Sequence, residues 1–454
     1  MSQLLWAPRA WVGGRWTDAV LLEVGADGCW SRIEVGVAAP PGATRLAGAA
    51  LPGFVDAHGH AFQRACAGLA ERCDSEHDDF WSWRDRMYQV ALRITPEQLH
   101  AIAAQLYVEL LHGGYTQVCE FHYLQHASDG APYADPGTLA WALAGAACEA
   151  GIGITLLPVL YERAGFAAPQ LRADQRRFAT SAQSVLALQA AAHSRGIRCG
   201  VAIHSLRAAR PESIAALVEG ALAGPIHIHA AEQSAEVDDC VAATSLRPIE
   251  WLAAHTTLDA RWQLVHATQA TANEIDAVAR SGAGVVLCPT TEANLGDGAP
   301  DLPRWLAAGV PLAIGSDSNV GRDALEELRL AEYGQRLALR RRNVAAAPGH
   351  EPSSAARLFE RVHAGGAAAA GFERWGLEVG ARADLLVADP ACDATLGVPA
   401  DALLDALVFA GAVRPWRDVM VAGRWAISDH RAAHAAPIAE RFMASMQQLW
   451  HQAP

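Results

Sequence analysis

Between residues 51 and 375, short and almost uninterrupted apolar runs alternate with longer Ala- and Leu-rich stretches. That is the pattern of parallel strands separated by helices. The strand-like runs are GFVDAH, YTQVCEFH, IGITLLPVL, RCGVAIHS, PIHIHA, WQLVHA, AGVVLCP and PLAIGSD. Eight of them predict a (β/α)8 barrel of the TIM type. Six of the eight carry His, Ser or Asp at the last or next-to-last position, and barrel enzymes carry their chemistry at the C-terminal ends of their strands. A doubly wound sheet would gather such residues at one switch point instead.

The two ends of the chain have another texture, with shorter strand-like runs broken by Gly and Pro. Val12-Gly-Gly-Arg15-Trp16 and Val421-Ala-Gly-Arg424-Trp425 both suit tight hairpins. The expected organisation is a small β-sandwich domain from residues 1–50 and 376–432, a barrel over 51–375, and an amphipathic tail helix over 433–454. Thr95-Pro-Glu-Gln reads as a helix start, with Thr as the cap and Pro in the first turn. The long loop after the first barrel strand, 61–94, is the candidate lid.

Composition narrows the function. With 454 residues, 51% hydrophobic and 19% charged, core volume is not limiting. A net charge of -13 argues against nucleic-acid or anionic-membrane partners, which need a basic face. No apolar run is long enough for a membrane span, and the first residues lack the pattern of a secretory leader, so the expected location is the cytoplasm. The nine cysteines show no C-x-x-C spacing, in keeping with reduced thiols. There is no lysine, so all 36 basic Lys+Arg positions are arginine. Schiff-base and carboxylated-lysine chemistry are thereby excluded.

The chemistry begins at Leu51-Pro-Gly-Phe-Val-Asp-Ala-His58-Gly-His60. Side chains on a strand repeat with period two, so His58 and His60 share a face and can hold a metal. Further ligands are expected from Pro225-Ile-His227-Ile-His229-Ala-Ala-Glu232 and from Asp317. His227 and His229 also share a face, and His229 is preferred because it lies nearer the strand's C-terminal end. Asp317 could merely cap a following helix, and Glu232 could be a carboxylate at a helix start. Taken with His266, which ends WQLVHA, they instead complete an acid/base set around a metal-held water. One divalent cation per chain is expected, with zinc first. His100, His112, His126, His193 and His255 fall in helical or loop contexts and read as packing or surface residues. Trp81 and Trp83 also read as packing, and the Gly-Asp-Gly of Asn294-Leu-Gly-Asp-Gly298 is poor support for a phosphate site.

The order HxH, HxxE, H, D resembles the mononuclear deaminase branch of the amidohydrolase superfamily. Within it, HAFQRACAGLAER, FWSWRDRMY, CEFHYL, LLPVLY, HSLRA, HIHAAEQ, LVHAT, TEANLGDG and GSDS resemble the formimidoylglutamate deiminases. Two departures are visible: Gly59 stands where Ser is expected, and Asn319 where the family usually has His. The resemblance implies a homodimer that hydrolyses N-formimino-L-glutamate, a small diacid of histidine degradation, to N-formyl-L-glutamate and ammonia. It further implies substrate contacts from Gln63, Arg84, Tyr123, His204 and Arg207. The arginines suit the diacid because a guanidinium fork binds a carboxylate through two hydrogen bonds. Arg84 could also be half of a surface ion pair with Asp85. The competing readings are a related amidohydrolase acting on a nucleobase, a nucleoside or another formimino acid, and a barrel that has lost catalysis and binds partners.

Overall fold

The computed structural model describes residues 3–71 and 80–451. Residues 72–79, in the expected lid, lie outside the described residues. Eight parallel strands close into a barrel: β1 (Phe54–Gly59), β2 (Tyr115–His122), β3 (Gly153–Leu160), β4 (Val201–Ser205), β5 (Ile226–Ala230), β6 (Trp262–His266), β7 (Gly284–Leu287) and β8 (Leu312–Ile314). Each pairs with the next, β8 pairs with β1, and the β3–β4 pairing completes the circuit. Seven of the eight runs expected from the sequence form unbroken strands. The fourth, RCGVAIHS, divides at Gly200: Arg198–Cys199 pairs only with β3, whereas Val201–Ser205 pairs with both β3 and β5. The Gly200 N–H still donates to Leu156 O at 3.0 Å, so the break leaves no orphaned donor there.

Local signals in the chain set the helix that follows the first loop. Thr95 Oγ1 accepts from Gln98 N, and the Gln98 side chain accepts from Thr95 N, a reciprocal capping box before helix Pro96–His112. The tail forms helix Ala435–His451, which packs on Pro96–His112. Its Trp450 indole N–H donates to Ala65 O.

The terminal strands form a second, nine-stranded sheet in which Ala50–Leu51 lies between Gln3–Val12 and Leu385–Ala388. The material of the expected sandwich is thus one hydrogen-bonded sheet with an apolar cluster of its own, from Leu5, Val20 and Trp30 to Leu385 and Met420. Arg382 joins it to the barrel by donating to Gln117 Oε1 (2.7 Å) and Thr116 O (3.1 Å).

The two repeated hairpin sequences make the same turn. Val12 pairs with Arg15 around Gly13 (φ 59°) and Gly14 (φ 76°); Val421 pairs with Arg424 around Ala422 (φ 47°) and Gly423 (φ 75°). Both central positions are left-handed, as the type I′ hairpin demands, and Ala422 holds that conformation with a Cβ. Ala422→Gly is expected to stabilise the fold by about 0.5–1 kcal/mol, seen as a raised urea midpoint with unchanged slope.

Candidate metal centre and active site

The C-terminal ends of β1, β5 and β6 and the loop after β8 bring His58, His60, His229, His266 and Asp317 together. Asp317 Oδ1 lies 3.4 Å from His58 Nε2 and 3.2 Å from His60 Nε2, and His229 Nε2 is 3.0 Å from His58 Nε2. The backbone ties the two loops: Asp317 N donates to His58 O (2.9 Å) and His60 N to Asp317 O (3.1 Å). Such an approach needs glycine at 315, where a Cβ would sit 2.6 Å from His58 O. Asp317 itself is left-handed at φ 46°, and so is His266 at φ 69°. Each such residue stores strain of order 1–3 kcal/mol that the surrounding structure must hold.

The donor set fits a divalent cation. His60 Nδ1 lies 3.0 Å from Phe121 O, and His229 Nδ1 lies 2.7 Å from His204 O. A carbonyl can only accept, so both Nδ1 atoms carry the proton and both Nε2 atoms present lone pairs to the centre. Burial lowers His58 to about 3, and burial followed by the neighbouring imidazoles holds His229 well below the usual range. Neutral imidazoles beside an ionised carboxylate are what a zinc-type site requires. Burial works to raise Asp317, but the surrounding His58, His60 and His266 hold it well below the carboxylate range. His58, His60, His229 and Asp317 can together hold one ion, their ligand atoms lying within 4.8 Å of one another. His227, the alternative on β5, points elsewhere: its Nε2 lies 2.9 Å from Ala369 O.

His266 Nε2 stands 3.7 Å from Glu232 Oε1 and 3.8 Å from Asp317 Oδ2, with its Nδ1 3.5 Å from Glu292 Oε1. Burial opposes its protonation, yet Glu232, Glu292 and Asp317 outweigh burial and raise it to about 10. Glu232 follows the left-handed Ala231 (φ 54°), which turns the chain off β5 and brings the carboxyl over the centre. Burial raises Glu232 to about 7, with His266 pulling it down and Asp317 pushing it up.

The pocket beside this cluster, about 460 Å³ including its opening to solvent, is lined by Gln63, Arg84, Tyr123, His204, Arg207 and Glu232 among others. Gln63 Nε2 donates to Tyr123 Oη at 2.9 Å, while Gln63 Oε1 is buried without a hydrogen-bond partner among the described residues. Arg84 does approach Asp85, at 3.5 Å, but Asp85 is exposed and pairs more closely with Arg172, at 3.0 Å. Arg84 is buried, and its Nε has no partner among the described residues; the same holds for Arg207 Nε and Nη1. Trp83 packs against the core as expected, whereas the Trp81 ring centroid lies 4.5 Å from the Arg84 guanidinium carbon and 5.4 Å from that of Arg207. Asp297 of the Gly-Asp-Gly turn is occupied internally, accepting from Gln233 Nε2.

Several supporting residues were not singled out from the sequence. Asp56 accepts from Ser316 N (2.9 Å) and Ser316 Oγ (2.6 Å), clamping the β8 loop to β1. Glu120 accepts from Ala61 N and Tyr107 Oη, both at 2.9 Å, behind His60. A carboxylate inside an otherwise apolar strand was the available signal for both. Asn319 is buried and donates through Nδ2 to His60 O (2.9 Å) and Asp317 O (3.2 Å), so it braces the centre's backbone. Gly59 Cβ would meet Ser316 Oγ at 3.2 Å, away from the imidazole pair. Of the histidines read as packing or surface residues, His100 pairs with Glu149, His126 with Ala179 O, His193 with Gln189 O and His255 with Trp251 O. Among the described residues no helix is long and apolar enough to cross a membrane.

Comparison with known proteins agrees with this geometry. Residues 49–426 match the Amidohydrolase family. The formimidoylglutamate deiminase of Pseudomonas aeruginosa is 46% identical over 98% of this chain and 99% of its own. A 5-methylthioadenosine/S-adenosylhomocysteine deaminase of Natronomonas pharaonis is 31% identical, covering 84% of this chain and 81% of its own. Among solved structures, an amidohydrolase from Brucella melitensis superposes with a TM-score of 0.94 at 40% identity, over 98% of this chain and 99% of that one. A zinc-bound adenosine deaminase from Xanthomonas campestris shares the fold, with a TM-score of 0.81 at 23% identity over 98% of each chain. The chain therefore belongs to the amidohydrolase family, among the relatives of formimidoylglutamate deiminase, and is a hydrolase acting on carbon–nitrogen bonds.

Proposed function

We propose that this enzyme hydrolyses N-formimino-L-glutamate to N-formyl-L-glutamate and ammonia, a step of histidine degradation, as a cytoplasmic homodimer holding one zinc ion per chain. The observation that carries the substrate is the pair of buried guanidiniums, Arg84 and Arg207, in the pocket beside the His/Asp cluster, with donor atoms that have no hydrogen-bond partner among the described residues. Buried cations without partners are costly, and a diacid supplies two carboxylates to meet them. A neutral nucleobase would leave both unmet. The identity to the Pseudomonas aeruginosa deiminase supports the same reading.

His58, His60, His229 and Asp317 would hold the ion. When bound, zinc supplies the Lewis acidity that brings the pKa of water at the site toward neutrality. Glu232, whose Oε1 stands 3.7 Å from His266 Nε2, would take one proton from that water, and the cationic His266 would hold its oxygen. The oxygen would attack the formimino carbon, forming a C–O bond as the C=N double bond opens onto the terminal nitrogen. Glu232 would return that proton to the terminal nitrogen, and Asp317 would pass on the proton of the new hydroxyl as the carbonyl forms and the C–N bond breaks, so that ammonia leaves and not amide anion. The former formimino carbon keeps its hydrogen and its bond to the glutamate nitrogen, giving the formyl amide. Gln63, Tyr123 and His204 line the same pocket and would orient the substrate's amidine and carboxylates.

The deciding experiment is ammonia release by zinc-loaded protein from N-formimino-L-glutamate, beside N-formimino-L-aspartate, guanine, cytosine and adenosine. Release from the glutamate derivative alone is expected; release from a base in its place would refute the substrate. Removing the metal with a chelator should abolish turnover, and zinc should restore it. Metal analysis is expected to find His229→Asn depleted of zinc and His227→Asn still loaded with about one ion per chain.

A further inference from the structure

We infer that Trp81 is a specificity-determining residue, the spacer that sets the distance between the Arg84 and Arg207 guanidiniums and so selects the length of the diacid. This inference rests on the substrate reading above. Trp81 and Arg84 stand three residues apart on helix Phe80–Ala91, a spacing that places them on one helix face. Arg207 comes from the loop after β4, a different part of the barrel. The indole lies within cation–π range of both cations, at 4.5 and 5.4 Å.

The physical logic favours an aromatic there. Two guanidiniums in one buried pocket repel each other, and something must hold them without satisfying them. A carboxylate would do so by consuming the donors the substrate needs. An indole face instead attracts each cation through its quadrupole and leaves the N–H edges available. Arg84 Nε and Arg207 Nε and Nη1 have no hydrogen-bond partner among the described residues, as this account requires. Because the ring lies between the helix and the β4 loop, its bulk determines how far apart the forks sit.

The test uses zinc-loaded full-length protein with glutarate and succinate as probes, read by calorimetry, together with steady-state kinetics on N-formimino-L-glutamate and N-formimino-L-aspartate. Wild type should bind glutarate more tightly than succinate. Trp81→Leu should weaken glutarate roughly tenfold and erase the preference, with KM rising more than kcat falls, and Trp81→Phe should recover part of both. Unchanged discrimination in Trp81→Leu and Trp81→Phe, or an equal loss for both diacids, would overturn the spacer role. Glutarate binding without turnover of N-formimino-L-glutamate would refute the substrate reading and leave the spacer testable on the diacids alone. No diacid binding by the wild type would overturn the spacer itself.

Discussion

Glu232→Gln is expected to lower kcat roughly a thousandfold while the protein keeps its metal. Glutamine preserves shape and can still receive a hydrogen bond, but it cannot take a proton from water and return it to the leaving nitrogen. Glu232 is not among the four residues that converge to hold an ion, so metal content should stay at the wild-type value. The pH profile supplies a second readout. Burial raises Glu232 to about 7, and a bound cation nearby would draw it lower by favouring the ionised form. Proton acceptance needs the carboxylate, so wild-type kcat/KM should fall on the acid side of a limb at or below that value. The limb should vanish in the variant. Full activity in Glu232→Gln would remove this residue from the chemistry, and loss of metal would reassign it to holding the ion.

Arg207→Met should cost about 2–3 kcal/mol of transition-state stabilisation for the diacid, roughly 30- to 150-fold in kcat/KM. Methionine fills much of the volume and keeps the apolar stem, so the change removes chiefly the charge-assisted hydrogen bonds. The loss should be borne largely by KM, because carboxylates remote from the formimino carbon are bound alike in ground and transition states. An unchanged kcat/KM would mean that the carboxylates are held elsewhere in the pocket.

How much of this could be read from the chain differs from residue to residue. The eight strands were legible because a strand buried on both faces must be apolar throughout, and because polar residues gather at its functional end. The period of two put His58 and His60 on one face, and Asp317 followed from its place after an apolar run. The same period could not separate His229 from His227, since both fall on one side of β5. What separates them is which carbonyl each reaches, His204 O for the first and Ala369 O for the second, and those partners lie 25 and 142 residues away along the chain. Trp81 shows the same limit from the other side: its spacing to Arg84 is local, but its contact with Arg207 exists only once the helix is laid across the barrel.

The sequence by itself determined the barrel, the order of the candidate ligating side chains and, through the absence of lysine, which chemistries were closed to it. Local periodicity and residue type suffice for such features. Only the tertiary structure decided which histidine of β5 meets β1, that Asn319 braces the backbone of His60 and Asp317, and that Asp56 and Glu120 stand behind the centre. It also decided that the termini share one sheet, because strand pairing joins Leu51 to Leu386. These are contacts between distant segments, fixed by packing and by the need to satisfy buried polar groups, and no local pattern encodes them.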